Sequence, residues 1–207
     1  PGTVFAERSG DAANSFELWP VDLDLVKGMD LGAYRFSLEW ARIEPDKGHF
    51  SSAMLDHYKA MIRGCRARGL EPVVTFNHFT TPRWFAAQGG WHNPESPMLF
   101  ARFCERAVRH LGQEIGLAIT LNEPNLAGVI GEILPPQLVA GDRATQEAAA
   151  KQLGVPLYSP GVALYFQDAK AYRANMMTGH RLGLAAIKAV RPDLPVGVCL
   201  AIIDDQA

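Results

Sequence analysis

The stretch A-I-T-L-N-E-P-N-L-A-G, residues 118–128, places a carboxylate at the point where an apolar run ends. Asn122, Glu123 and Pro124 follow the run directly, and two interpretations of them are open. In the first, they are ordinary turn residues, since Asn and Pro end strands and the residue before Pro favours extended geometry. In the second, Glu123 is a proton donor held at the rim of a barrel. The rest of the chain has to decide between the two.

Three other apolar runs also have the length and the β-branched or aromatic content of strands. The four predicted strands are Ala33–Trp40, Pro72–Phe79, Leu117–Glu123 and Pro195–Ile203. Helical patterns lie around them, at about 21–29, 51–69, 96–112, 142–154 and 166–190. Ser51 or Ser52 is expected to cap the second of these helices, and Ser96-Pro97 to begin the third. Strands alternating with helices predict an α/β fold with a parallel sheet.

The alternation alone does not separate a doubly wound sheet from a barrel. No glycine-rich turn follows any of the predicted strands, and Gly89-Gly90 lies well past its strand. A dinucleotide-binding fold uses such a turn to approach the phosphates of its ligand, so that class is disfavoured. The segment from Asn125 to about Tyr165 is too long for a plain connection.

Composition and charge fit an ordinary globular protein. The chain has 207 residues, 48% of them hydrophobic and 20% charged, with a formal net charge of −2. No basic stripe indicates nucleic-acid binding, and no cationic amphipathic face or long apolar run indicates a membrane. Cysteines number three, without metal-ligand spacing, and we expect them to be buried thiols. Such thiols fit a reducing compartment, so we expect a cytoplasmic location.

Functional-group-bearing side chains occur along or at the ends of three predicted strands. They are Arg35, His78, Asn122 and Glu123, and in a barrel the carboxyl ends of the strands meet at one mouth. Each has a structural alternative: Arg35 as the partner of an interior carboxylate, His78 as a core histidine. Glu39 is expected to be a structural partner of a nearby cation. The other histidines share no spacing typical of a metal site, so no metal is assigned.

Four motifs occur together: Y-R-F-S-L-E-W-A-R-I-E-P from residue 34, V-T-F-N-H-F-T-T-P from 74, G-G-W from 89 and T-L-N-E-P from 120. In this order and spacing they resemble the N-terminal part of family 1 glycoside hydrolases, the β-glucosidase and β-galactosidase type. The resemblance runs from about Gly10 to Ile203. Asn-Glu-Pro alone is shared by a wider clan of barrel glycosidases, whereas the four motifs together are much more specific.

The resemblance implies a partial (β/α)8 TIM barrel, with about strands 2–5 and their helices present. Residues 1–207 are then a single incomplete TIM-barrel catalytic domain, in which the first strand and the C-terminal strands are absent. The implied activity is retaining hydrolysis of a β-glucoside or short β-linked oligosaccharide, without a cofactor. By motif match, Glu123 takes the acid/base position and Asn122 binds the sugar 2-hydroxyl. His78 contacts hydroxyls of the terminal sugar, and Arg35 lies near the nucleophile.

Departures from the family pattern limit these expectations. Phe79 follows His78 where the family usually has Trp, and Ala41 follows Trp40 in place of the common Pro. No residue corresponds to the later motif that supplies the nucleophile, so we expect the 207 residues alone to be inactive and the missing half of the barrel to be a partner. Two alternatives stay open: a non-catalytic sugar-binding or structural half-barrel, and an endo-acting glycosidase of the same clan. Residues 125–165 are expected to shape the entrance for the leaving group.

Overall fold

The computed structural model describes residues 10, 12–127, 134–161 and 163–202. Within them, four strands form one parallel sheet in the order β1-β2-β3-β4. The strands are β1 Ala33–Ser37, β2 Glu71–Asn77, β3 Leu117–Asn122 and β4 Val196–Cys199. Each strand pairs with the next one along the chain, as right-handed crossovers through helices require. The predicted α/β class and its parallel sheet are confirmed.

Helices connect and flank these strands. They are α1 Ser15–Gly28, α2 Trp40–Ile43, α3 Ser52–Ala67, α4 Arg83–Ala87, α5 Ser96–Leu111, α6 Pro136–Leu153 and α7 Ala169–Val190. A 3₁₀ turn covers Gly90–His92. The first predicted strand is shorter than expected, because Trp40 already begins α2. The predicted end of the last strand, Ile203, lies outside the described residues.

The structure confirms the predicted cap of α3 and moves the predicted start of α5 by one residue. Ser51 caps α3, and its hydroxyl oxygen accepts a hydrogen bond from the backbone N–H of Met54 at 3.3 Å. Ser96 is the first residue of α5, so the cap position falls one residue earlier, at Glu95. The Glu95 side chain makes no capping bond, but Pro97 does lie in the first turn, where the missing N–H of a proline is harmless.

Aromatic side chains fill the core between the sheet and its helices. Trp40, Phe76, Phe100 and Phe103 are fully buried, and the rings of Trp40 and Phe103 stack with centroids 4.9 Å apart. Burial of one large apolar side chain contributes about 1.5–3 kcal/mol, so this cluster stabilises the contact between sheet and helices. Trp91 is only 1% exposed and belongs to the same core.

The sheet is strongly curved, and one side chain shows it. In a flat sheet, three intervals of about 4.8 Å would separate β1 from β4 by about 14 Å, with side chains standing perpendicular to the sheet. Nevertheless, the guanidinium of Arg35 on β1 lies 3.7 Å from the sulfur of Cys199 on β4. The strands therefore curl around a concave face, as in a barrel wall. Among the described residues, β1 and β4 each pair on one side only.

The cysteines and the longest helices bear on two further expectations. Cys65 and Cys104 are buried thiols, as predicted, whereas Cys199 is half-buried; all three are free. Burial raises the pKa of the Cys65 thiol to about 11, which makes it a poor nucleophile. Across the described segments, no helix has the length and apolar character needed to cross a membrane.

Candidate active site at the carboxyl ends of the strands

Arg35 on β1 contacts residues of the other three strands across the concave face. Its Nε donates to Thr75 Oγ1 on β2 at 2.9 Å, and one terminal nitrogen donates to Asn122 Oδ1 on β3 at 2.6 Å. The other terminal nitrogen faces the sulfur of Cys199. None of the three partners is a carboxylate, and within the described segments Arg35 forms no ion pair. The expected interior carboxylate for this cation is therefore not found among the described residues.

A β-bulge turns Asn122 toward Arg35. Between β3 and β4 the pairing passes from Ile119–Gly197 to Asn122–Cys199, so three steps on β3 match two steps on β4. Alternation would place Asn122 on the same face as Thr120. Instead, Thr120 contacts His180 on α7, while Asn122 contacts Arg35 on the concave side. The extra residue thus brings Asn122 into the site, a use of bulges that is common beside functional sites.

Thr120 holds this bulge in place. Its hydroxyl donates to the carbonyl oxygen of Gly197 at 3.2 Å and lies 2.7 Å from Nδ1 of His180. A hydroxyl has one proton to donate, so with that proton given to Gly197 the Nδ1–H tautomer of His180 is the one that completes the contact. Burial, with a smaller effect of nearby Arg181, lowers the pKa of His180. The neutral ring therefore supports the strand from the helix side.

Asn122 is oriented by its contact with Arg35. The residue is only 4% exposed, and its amide oxygen is taken up by the guanidinium. Among the described residues no acceptor pairs with its NH₂ group, which remains free to donate on the concave side. Sequence reasoning placed Asn122 at the mouth, and the structure brings it into contact with Arg35.

Glu123 leaves the strand in an unusual backbone conformation. Its φ is +49°, in the left-handed region that a non-glycine residue seldom adopts. Such a conformation costs on the order of 1–3 kcal/mol and tends to occur at functional sites. The backbone N–H of Glu123 donates to the carbonyl oxygen of Cys199 at 2.7 Å. This bond holds the residue against β4 while its side chain is partly exposed.

His78 and Phe79 follow β2 at the same end of the sheet. His78 is exposed, so the structure argues against the alternative of a core histidine. Its pKa is lowered, first by partial burial and then by the charge of Arg35, while Glu123 acts in the opposite direction. Both charges are therefore close enough to influence the ring. Phe79, the departure from the family pattern, also has a left-handed backbone, with φ of +67°.

Among the described residues, Glu39 pairs with no cation, which was the partner expected from the sequence. One of its carboxylate oxygens accepts from the backbone N–H of Ala41 and caps α2 at 3.2 Å. The other accepts from the hydroxyl of Thr80 at 2.7 Å. Within the described residues the N-terminus of α2 takes the place of the predicted cation, because a carboxylate beside the first turn of a helix can pair with its free N–H groups.

A small apolar cavity opens beside Glu123. Its volume is about 90 Å³, and its walls include Phe79, Leu126, Leu164, Tyr172 and Met176. Leu164 belongs to the long segment after β3, and Tyr172 and Met176 belong to the first turns of α7. Part of the long segment therefore lies beside Glu123.

Specific contacts hold the long segment together and place it against the residues that follow β2. The buried carboxylate of Asp142 accepts from the backbone N–H groups of Leu164 and Tyr165, at 2.8 and 2.9 Å. Gly161 packs so tightly on the carbonyl oxygen of Phe79 that a Cβ there would overlap it. The described part of the segment also forms α6, which begins six residues before the predicted surface helix.

Metal-binding geometry was also considered. Within 10, 12–127, 134–161 and 163–202, no group of three or more His, Cys, Asp or Glu side chains is arranged to hold a metal ion. The polar groups at the concave face include a guanidinium, an amide, an imidazole and the carboxyl group of Glu123. This set suits hydrogen bonding to hydroxyl-rich ligands and transfer of a proton by Glu123.

Comparison with known proteins agrees with this architecture. A β-glucosidase from Agrobacterium sp. is 31% identical over 202 residues, which are 97% of this chain and 39% of the relative. The crystal structure of β-glycosidase BGL167 superposes with a TM-score of 0.89 at 45% identity, over 97% of this chain and 49% of that one. The complex of the Agrobacterium tumefaciens virulence factor SghA with its substrate analog salicin superposes with a TM-score of 0.74 at 28% identity, over 97% of this chain and 40% of that one.

The chain thus spans between about two fifths and half of the length of these relatives. The matched part is their N-terminal part, and the solved relatives are TIM barrels, so the curved sheet and its helices form part of such a barrel. The family model for glycosyl hydrolase family 1 matches residues 1–202. With that match over almost its whole length, the chain belongs to glycosyl hydrolase family 1.

Proposed function

We propose that the complete protein hydrolyses terminal β-linked glucosides or closely related sugars with retention of configuration, and that Glu123 is its general acid/base. The observation that carries this proposal is the arrangement of Asn122 and Glu123. Arg35 occupies the amide oxygen of Asn122, so the NH₂ group is left to bind a hydroxyl. The next residue presents a partly exposed carboxyl group at the same strand end.

Asn122 is suited to recognise the sugar 2-hydroxyl. A hydrogen bond at that position strengthens as the ring gains oxocarbenium character, and it therefore favours the transition state over the bound substrate. The bulge and the guanidinium fix the amide before substrate arrives. This preorganisation avoids the cost of orienting the group during the reaction.

Glu123 supplies the proton and later removes one. Departure of a poor leaving group needs protonation of the glycosidic oxygen as the bond breaks. Once a covalent glycosyl-enzyme has formed, the same carboxylate activates the water that releases the sugar. The apolar cavity beside Glu123 supports an apolar, for example aromatic, leaving group at this position.

A retaining mechanism also needs a nucleophilic carboxylate, about 5–5.5 Å from the acid/base. Neutral partners surround Arg35 within the described residues, although a cation on a concave face favours an anionic neighbour. We propose that the nucleophile approaches Arg35 from a part of the barrel outside the described residues. The 207 residues alone are then inactive, and the missing half of the barrel is either continuous with them or a second chain.

The test is the substitution Glu123→Gln in the complete protein, with two aryl glucosides of different leaving-group ability. We expect kcat/KM to fall about 10²- to 10⁴-fold for the poor leaving group, because only that substrate needs the proton. The loss should be much smaller for the good leaving group. Equal losses with both substrates would argue against the acid/base role.

Two observations separate the alternatives. Saturable glucose binding without turnover by the complete protein would support a non-catalytic sugar-binding role. Cleavage of an internal bond in a polymer, in preference to a short aryl glycoside, would support an endo-acting enzyme. The intact mass of the protein from its source decides between a continuous and a paired barrel, since this chain alone has a mass of 22.6 kDa.

A further inference from the structure

The loop that carries Glu123 is fastened to the end of β4 by one side chain. Asn125 Nδ2 donates to the carbonyl oxygen of Ala201 at 2.7 Å, and Asn125 Oδ1 accepts from the N–H of the same residue at 3.0 Å. The NH₂ group and the oxygen of the Asn125 amide thus pair with the carbonyl oxygen and the N–H of Ala201. A side-chain amide has the donor and acceptor of a peptide group, so this pair continues the ladder after the strands have ended.

The same loop is closed by backbone bonds on either side of Asn125. The N–H of Leu126 donates to the carbonyl oxygen of Glu123 at 3.0 Å, which completes a four-residue turn. Pro124 takes the second position of this turn, where proline is favoured. The N–H of Glu123 donates to Cys199 at 2.7 Å. The Cys199 and Ala201 contacts therefore attach the turn to β4 at two points.

Fixation at two points matters because Glu123 has a left-handed backbone. A residue with that φ would relax toward the extended region if its neighbours allowed it, and the carboxyl group would then move. The bond to Cys199 holds only the N-terminal side of Glu123. The clamp from Asn125 holds the C-terminal side, two residues on, and prevents that relaxation.

We propose that Asn125 is a positioning residue, which keeps the carboxyl group of Glu123 in its proton-transfer geometry by clamping the turn to Ala201. This inference rests on the proposed function, in which Glu123 is the acid/base. Asn125 does not contact the substrate in this scheme and acts only through Glu123.

The substitutions Asn125→Ala and Asn125→Asp test the proposal in the complete protein. Alanine removes both bonds, whereas aspartate keeps an acceptor for the Ala201 N–H but places an oxygen against the Ala201 carbonyl. Asn175→Ala is the matched control, since Asn175 also donates to backbone carbonyls, those of Trp91 and Asn93, at 2.9 and 3.4 Å.

The first readout is the dependence of kcat/KM on the leaving group. We expect both Asn125 variants to lose about 10- to 100-fold with a poor leaving group, the size of effect that a small misplacement produces. Loss with a good leaving group should be much smaller, and azide, which needs no general base, should accelerate turnover of the good substrate in both variants. In the control Asn175→Ala, any loss of kcat/KM should be equal for the two substrates. Equal losses of kcat/KM with the poor and the good leaving group in the Asn125 variants would overturn the proposal.

The second readout is hydrogen exchange at the amides of Glu123 and Ala201, which does not depend on activity. Faster exchange at both amides in Asn125→Ala, at an unchanged melting temperature, supports the clamp. Unchanged protection overturns it. If the unsubstituted complete protein hydrolyses no glycoside, the proposed function fails, and the exchange rates still decide whether Asn125 fixes the turn.

Discussion

The guanidinium of Arg35 donates to the amide oxygen of Asn122 at 2.6 Å, although the two residues lie on strands separated by β2. This contact needs both the curvature of the sheet and the bulge in β3. It joins a fixed positive charge to the residue that precedes Glu123. The orientation of the candidate site is therefore built into the sheet, and it does not depend on a bound ligand.

The substitution Arg35→Lys should weaken both the sheet and the site. Lysine keeps the charge but lacks the fork that reaches Thr75 and Asn122 together. We expect a loss of about 1–3 kcal/mol in the free energy of unfolding, measured with urea, and a larger loss in kcat/KM. Arg63→Lys is the control, because Arg63 is exposed and pairs with Glu114 at the surface. Equal effects of the two substitutions would contradict the role of the fork.

Thr120→Val tests the support of the bulge. Valine has the same shape but leaves the N–H of His180 and the carbonyl of Gly197 without their partner. Loss of a buried partner costs about 1–3 kcal/mol, so urea unfolding should show a decrease of this size. Thr178→Val on α7 is the control, since that hydroxyl donates to the helix carbonyl of Ala174 near the surface. A stability close to that of the control would mean that the bulge needs no side-chain support.

Gly161→Ala should displace the segment that lies on Phe79. A methyl group at residue 161 would overlap the carbonyl oxygen of Phe79, so the segment or the end of β2 must move. We expect the free energy of unfolding, measured with urea, to fall by about 1–3 kcal/mol. We also expect the order of kcat/KM among substrates with different leaving groups to change. At Gly28, near the end of α1, a Cβ would have nothing within 4 Å, so Gly28→Ala should be harmless. A changed preference in the control would show that the effect is not local.

Stability should fall between pH 7 and pH 5. The pKa values of His78, His92 and His180 are all lowered from 6.5, with burial as the first cause. The unfolded chain therefore binds protons more readily than the folded one. The stability that the three neutral rings contribute is fully present above about pH 6.5, the pKa in the unfolded chain, and is lost as the pH falls through the folded pKa values. Urea unfolding at a series of pH values measures this.

The substitution His92→Gln measures how much His92 contributes to that pH dependence. His92 lies 3.0 Å from the buried Ser159 hydroxyl, and its other ring nitrogen accepts weakly from the backbone N–H of Asp168 at 3.4 Å. His92→Gln keeps a hydrogen-bonding side chain without a titrating group. We expect a shallower fall in stability between pH 7 and pH 5, and an unchanged slope would show that His92 does not contribute.

The sequence predicts elements well where a local pattern decides them. The four strands and the long helices α1, α3, α5 and α7 follow from apolar periodicity, whereas the short helices α2 and α4 were not predicted. The capping of α3 by Ser51 follows from its hydroxyl. The carboxyl ends of β2 and β3 indicate where His78, Asn122 and Glu123 lie. Family resemblance adds their proposed roles, which the fold alone does not supply.

Contacts between distant residues are harder to predict. Alternation along β3 would put Asn122 on the same face as Thr120, and no residue type in that strand indicates a bulge. The turn residue Asn125 looks like ordinary turn chemistry until its partner Ala201 is seen. Glu39 was expected to meet a cation, because the early start of α2 was not anticipated. Each of these depends on register or on a neighbour far along the chain.

The bulge in β3 also determines which changes of strand length this barrel can tolerate. Removing one residue between Ile119 and Asn122 would restore even pairing with β4, and the sheet would survive. Asn122 would then lie two steps from Ile119 and stay on the concave face by plain alternation, whereas a change that straightens the strand without removing a residue would turn its amide toward α7. For protein engineering, the strand can therefore move to another barrel either shortened by one residue, or at full length with the threonine and histidine pair that accommodates its surplus residue.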